Sequence, residues 1–193
     1  QLVIKDHPPI HDIVTKMVVG DADHFFFQPD QFEIMGRDQP NAALADQGAE
    51  IALTYQGDAL KKRVEPLAAE LGGIVVGHCD VSDQSTIDAV FETLKEKWGK
   101  IDFLVHAIGY SNKDELTGRY VETSRDNFLM TMDISVYSFT AVAKAAEPLM
   151  TDGGSMLTMS YYGAEKVVMN YNVMGVAKAA LEASTRYLAA DLG

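Results

Sequence analysis

The sequence predicts a doubly wound α/β fold, a parallel sheet with helices on both faces. Three observations carry that prediction. Short runs rich in β-branched residues alternate with longer segments of helical period, and such alternation requires crossovers between parallel strands. Glycines and capping residues mark the boundaries of these segments. The chain has 193 residues, 47% of them hydrophobic, which suffices for one sizeable core.

Residues 50–54 (Glu-Ile-Ala-Leu-Thr) read as a buried strand. A helix follows over about 59–71, with Pro66 able to kink it. Residues 73–77 (Gly-Ile-Val-Val-Gly) form the second strand. The next helix opens on Ser85 and Asp88 as a capping box, keeps Ile87, Val90, Phe91, Leu94 and Trp98 at helical spacing, and stops at Gly99. Residues 101–107 are a third strand, 125–150 one long helix, 155–160 a fourth strand and 171–191 a last helix. Both long helices are apolar over more than one face, so they are expected to be buried against further copies of the chain.

Composition excludes several functions. A net charge of −12 disfavours nucleic acid and anionic membranes. No apolar run approaches the roughly 18–20 residues of a membrane span, and residues 1–9 lack a signal-peptide core. One cysteine, Cys79, rules out an internal disulfide and suits a reducing, cytoplasmic setting. The five histidines form no metal set: His7 and His11 are separated by Pro8-Pro9, and no carboxylate motif joins them. His106 reads as a satisfied residue at the end of a buried strand.

The segment 160–178 is the most specific part of the chain. It places Tyr171 seven residues before Lys178, with Tyr161 ten residues upstream. Seven residues is close to two helical turns, so phenol and ammonium would share one face roughly 10 Å apart along the axis. A lysine charge would favour the tyrosine anion, and such a pair can stabilise an enolate. Taken alone, Tyr-x6-Lys is also a common pattern on helix surfaces.

The surrounding words are narrower. Tyr161-Tyr-Gly-Ala-Glu-Lys166 and Asn170-Tyr-Asn-Val-Met-Gly-Val-Ala-Lys178 closely resemble the active-site segment of bacterial NADH-dependent enoyl-acyl-carrier-protein reductases. Those enzymes form a branch of the short-chain dehydrogenase/reductase superfamily, whose other members use Tyr-x3-Lys. The resemblance runs from about Ala42 to Gly193. It implies a Rossmann-type domain, partial here, over residues 34–193, preceded by an unrecognised segment, 1–33.

The resemblance also implies a site. Tyr171 would stabilise and protonate the enolate, Lys178 would hold the nicotinamide ribose, and Tyr161 would stand beside the thioester. Gln56 reads either as a turn residue or, by resemblance, as the adenosine-ribose contact, and its neutral side chain leans towards NADH. Asp80 and Val81 would hold the adenine, although a carboxylate opening a turn is common. Ala107, Ile108 and Gly109 would line the nicotinamide side, where glycine permits close backbone approach. Tyr110, Ser111 and Met174 would border the acyl pocket. Ser135 occupies a position where other superfamily members carry a relay asparagine, or is simply a tolerated polar residue.

The chain departs from the family pattern at both ends. Gly36 lies twenty residues before Gln56, as a dinucleotide fingerprint expects. It is followed by Arg37-Asp38-Gln39-Pro40, and the family's Ser-Ile-Ala-x-Gly segment is absent. Met169 stands where the family has proline. Beyond Gly193 the family continues with a strand, a substrate-covering helix and a final strand. The reading is therefore an enoyl reductase acting on enoyl-acyl carrier protein with NADH in a homotetramer, with weak NADH binding and slow or no turnover expected of this chain taken alone. An impaired fragment or scaffold subunit, or a 3-oxoacyl-thioester reductase, is the alternative, the latter disfavoured by the x6 spacing.

Overall fold

The computed structural model describes residues 16–19 and 48–193. Five parallel strands form one sheet in the order β3-β2-β1-β4-β5, with β1 at Lys16–Val19, β2 at Glu50–Tyr55, β3 at Ile74–His78, β4 at Phe103–His106 and β5 at Ser155–Thr158. The strand order reverses between β1 and β4, the switch point where doubly wound sheets place their ligands. The predicted fold class is the observed one. The central strand, however, comes from within segment 1–33, which sequence reasoning left unassigned; its backbone pairs Val18 with Ala52 and Leu104. Gly36 and the 33/34 boundary lie outside the described residues.

The helices are α1 (Gly57–Glu70), α2 (Gln84–Trp98), the short α3 (Lys113–Leu116), α4 (Arg125–Met132), α5 (Ser138–Ala146) and α6 (Asn172–Leu192). Alternation along the strands divides the core in two. Ala52, Val76 and Leu104 face α2 and α5, packing with Ile87, Leu94 and Val142. Ile51 and Leu53 point the other way, onto Val64 and Ala68 of α1. Each fully buried aliphatic side chain contributes about 1.5–3 kcal/mol.

Three local expectations need correction. The cap of α2 is Asp83, whose carboxylate accepts from the Ser85 N–H at 2.9 Å, whereas Asp88 bonds Gln84. Asp83 directly precedes the first helical residue, Gln84, so its carboxylate reaches the orphan amides, whereas Ser85 already lies in the first turn. Pro66 lies inside α1, which runs unbroken from Gly57 to Glu70. The predicted helix 125–150 is continuous in space but not regular: α4 and α5 are joined by a π turn, Asp133–Tyr137, and a 3-10 turn closes it at Glu147–Leu149. The π turn adds one residue to the winding, and such turns are frequent at functional sites.

On β3 the register slips: Leu53 pairs with Val75, but Thr54 pairs with Gly77, leaving Val76 as the extra residue of a bulge. Gly77 has φ +138°, a conformation only glycine adopts readily. Bulges re-aim the chain beyond them, here the Cys79–Val81 segment.

Candidate active site

A groove of about 290 Å³ opens at the carboxyl ends of β2, β3 and β4. Gln56, Cys79, Asp80, Val81, Ile108 and Tyr110 line it, together with Ile134 from the π turn. Gln56 sits at the N-cap of α1 without using its side chain as a cap. Instead its Nε2 donates to Asp80 Oδ2 at 3.0 Å. The second carboxylate oxygen accepts from the Ser82 amide and hydroxyl at 3.0 and 2.6 Å. These bonds, the Ser82 hydroxyl foremost, hold the Asp80 pKa below the usual carboxylate value. The groove thus offers a fixed anion and an amide beside an apolar wall, donors and acceptors that fit the adenosine end of a dinucleotide. Ala107 is half-buried and Gly109 buried behind it.

At the β5 edge of the sheet, on the same carboxyl side, the chain leaves β5 and makes a 3-10 turn, Tyr162–Ala164. Tyr161 and Tyr171 meet there edge-on, ring centroids 4.9 Å apart. Tyr171 is the residue just before α6, and its neighbours Asn170 and Asn172 both have positive φ, +61° and +26°. Two turns on, Lys178 is buried, and its Nζ donates to the Met159 carbonyl at 2.8 Å. Burial lowers the Lys178 pKa to about 8. Burial also pushes Tyr171 well above the ordinary phenol value, with the neighbouring Tyr161 adding to the shift. The expectation that the lysine charge favours the phenolate is therefore corrected. Desolvation outweighs it, and Tyr171 is a neutral hydroxyl donor.

Two other expectations change. Met174 is 2% exposed and packs with Leu116, Val173 and Ala177 beneath Tyr171, so it supports the site from the core. Ser111 is fully buried and joins a hydroxyl network with Thr131 (2.9 Å) and Asn127 (3.3 Å). Tyr110 and Tyr161 are exposed at 37% and 42%.

That network belongs to a feature that sequence reasoning missed. Asn127, Thr131, Ser135 and Ser138 are all buried at spacings of four, four and three, one polar stripe along α4, the π turn and α5. Asn127 accepts from the Asn112 N–H at 2.9 Å. Ser135 Oγ accepts from the Tyr110 N–H at 2.9 Å and donates to the Tyr110 carbonyl at 3.0 Å. Ser138 meets His106 Nε2 at 2.8 Å and donates to Ile134 O at 2.6 Å. Ser135 is therefore not a merely tolerated polar residue; it grips the backbone of the loop that follows β4. The signal available in the sequence was polar residues at helical spacing within an apolar run.

His106 completes the ladder, with Nδ1 2.9 Å from Thr158 Oγ1. Because Ser138 donates to Ile134, its oxygen accepts from His106 Nε2–H, which leaves Nδ1 of a neutral ring as an acceptor. The Thr158 hydroxyl has two acceptors within reach, that nitrogen at 2.9 Å and the His106 carbonyl at 3.2 Å. Burial, reinforced by the Lys178 charge, lowers the His106 pKa to about 3. The unfolded ring binds a proton below about pH 6.5, so between pH 6.5 and 3 the unfolded chain holds more protons. Stability present above pH 6.5 is lost as pH falls, by at most about 1.4 kcal/mol per unit. We expect His106→Gln, which keeps the donor to Ser138, to flatten this loss. The gap between the urea midpoints of the two proteins should narrow from pH 7 to pH 4.5, and a constant gap would contradict the assignment.

The chain matches the family model described as enoyl-(acyl carrier protein) reductase over residues 41–193. It belongs to that family. Over 151 residues it is 76% identical to the enoyl-[acyl-carrier-protein] reductase [NADH] 1 of Rhizobium meliloti, covering 78% of this chain and 56% of the relative. Over 153 residues it is 49% identical to the Bacillus subtilis enzyme of the same description, 78% and 59% covered. The chain thus spans little more than half the length of the curated relatives it matches. Among solved structures, the reductase of Anaplasma phagocytophilum in complex with NAD is 54% identical with a TM-score of 0.81, covering 93% of this chain and 65% of that one. The Bacillus cereus enzyme with NADP+ and an indole naphthyridinone gives 41% and 0.82, with coverage of 93% and 67%. No group of three or more His, Cys, Asp or Glu side chains among the described residues could hold a metal ion. No described helix is long and apolar enough to cross a membrane.

Proposed function

We propose that this reductase-family chain carries the site of an NADH-dependent enoyl-acyl-carrier-protein reductase of fatty acid biosynthesis. The observation that carries the proposal is the Tyr161–Tyr171 pair, with Lys178 anchored two turns along the same helix. NADH held in this site would supply the hydride for the β-carbon of a trans-2-enoyl thioester. Charge then develops on the thioester oxygen, and the neutral Tyr171 hydroxyl is the donor that stabilises it. Proton delivery at the α-carbon, from Tyr171 directly or by way of the enol oxygen, completes the saturated acyl thioester. Lys178 would hold the ribose hydroxyls of the cofactor, Gln56, Asp80 and Val81 would hold its adenosine half, and Ala107–Gly109 would back the nicotinamide. Tyr110 and Tyr161 face the acyl group. Tyr-x6-Lys spacing separates this reading from 3-oxoacyl reduction.

The test is loss of NADH absorbance with crotonyl thioester, run beside acetoacetyl thioester and beside NADPH. Consumption with the crotonyl substrate and NADH alone is expected; turnover of only the acetoacetyl substrate would overturn the assignment.

We place the protein in the cytoplasm, where its single cysteine stays reduced, with acyl carrier protein as the carrier of its substrate. We also propose a homotetramer. Leu129, Tyr137, Val176 and Tyr187 are exposed on α4, the π turn and α6, apolar surface that a second copy would cover. Light scattering across micromolar concentrations should report about four chains per particle. A monomer throughout, with helical content intact, would count against it.

A further inference from the structure

We infer that Asn172 is a positioning residue for Tyr171, fastening the start of α6 to the end of α3. The Asn172 Nδ2 lies 3.2 Å from the Glu115 carbonyl, 3.2 Å from that of Thr117 and 3.4 Å from that of Gly118. A helix end leaves its last carbonyls without intrahelical donors. Two amide hydrogens are shared here among the Glu115 carbonyl of that last turn and the Thr117 and Gly118 carbonyls just beyond it. The far end of the same segment is also tied: the Glu115 carboxylate accepts from the Ser124 N–H at 2.7 Å and the Ser124 hydroxyl at 2.9 Å. Leu116, 3% exposed, packs on Val173 and Met174 directly behind Asn172.

Segment 115–124 is thereby a closed loop docked on the first turn of α6. Tyr171 is held between two residues of positive φ, Asn170 and Asn172. Asparagine visits that region more readily than other non-glycine residues, but at a cost that surrounding contacts must offset. The three carbonyl contacts are those contacts. Without them the strained pair is free to relax, and the phenol between them turns away from Tyr161. The kinetic consequence rests on the reading of Tyr171 given above; the fastening itself does not.

Asn172→Asp separates the two. Aspartate tolerates the same backbone but sets a carboxylate oxygen against three carbonyl oxygens, turning attraction into repulsion. Asn172→Gly keeps the backbone and removes the amide. In each variant trypsin should cut after Arg119, on the docked loop, at least ten-fold faster. The cross-ring NMR contact between Tyr161 and Tyr171 should weaken or vanish. In crotonyl-thioester assays kcat should fall at least ten-fold, with KM for NADH within two-fold of the parent. Unchanged cleavage and an intact ring contact would overturn the inference, as would equal losses in kcat and NADH affinity. If Asn172→Asp does not fold, Asn172→Gly gives the same readings. A parent that ignores crotonyl thioester would sink the proposed function, while the cleavage and ring-contact measurements would still judge the fastening.

Discussion

Replacing Tyr171 by Phe is expected to lower kcat for crotonyl thioester by a factor of about 10²–10³, the loss typical of removing one preorganised donor to a developing oxyanion, while KM for NADH stays nearly constant. The hydroxyl acts on charge that exists only in the transition state, so its loss falls on rate rather than ground-state binding. Lys178→Ala should behave differently. The buried ammonium donates to the Met159 carbonyl, and in its proposed role at the cofactor ribose its removal should raise KM for NADH as well as lower kcat. Because burial holds Lys178 near pKa 8, its charge is present at pH 7 and is lost as pH rises through 8. NADH affinity of the free enzyme should weaken over that interval. Steady-state kinetics of both variants decide the matter, and unchanged turnover for the two would remove the mechanism.

A second large effect is expected from one methyl group. A Cβ built on Gly163 would lie 2.4 and 2.7 Å from Cδ1 and Cε1 of the Tyr171 ring, closer than real Cβ contacts allow. In Gly163→Ala the ring must swing, because the neighbouring backbone is also tightly set: a Cβ on Gly175 would come 2.8 Å from the Gly163 carbonyl. Gly163→Ala should therefore cost kcat nearly as much as Tyr171→Phe while leaving the hydroxyl in the protein. Gly175→Ala presses backbone on backbone and should lose stability as well, about 1–3 kcal/mol as for other overpacked sites. Thermal melts with the kinetics distinguish the two. Wild-type turnover in Gly163→Ala would mean that the turn and α6 can separate freely.

Much of this was legible in the sequence because it is written in periodicity. The strands at Glu50–Tyr55, Ile74–His78, Phe103–His106 and Ser155–Thr158 are short apolar runs between glycines and caps, and the helix from Asn172 declares itself by spacing. Tyr171 and Lys178 were found because their spacing and flanking words are specific. What periodicity could not give is the choice between competing partners. Asp83 and Ser85 are both good caps, and geometry decides between them. Lys16–Val19 offers only four residues before Gly20, too short a run to register as a strand until it pairs with β2 and β4 on both sides. The direction of the Tyr171 shift depends on how dry the ring is, which spacing along a helix does not reveal. The π turn was hidden for the opposite reason: its polar residues keep nearly helical spacing, so the sequence looks regular where the winding is not.

The ladder from Asn127 to Ser138 has a further consequence, for the evolution of the site. At position 110 its grip is on the peptide group alone, both the N–H and the carbonyl. The side chain there, which lines the groove, takes no part in that grip. A mutation at 110 can therefore reshape the wall that meets a ligand while the scaffold that aims this wall stays fastened. Ligand preference can shift at this position without breaking the two backbone bonds to Ser135. Ser135 has no such freedom, because it has to present one small hydroxyl to both backbone groups at once.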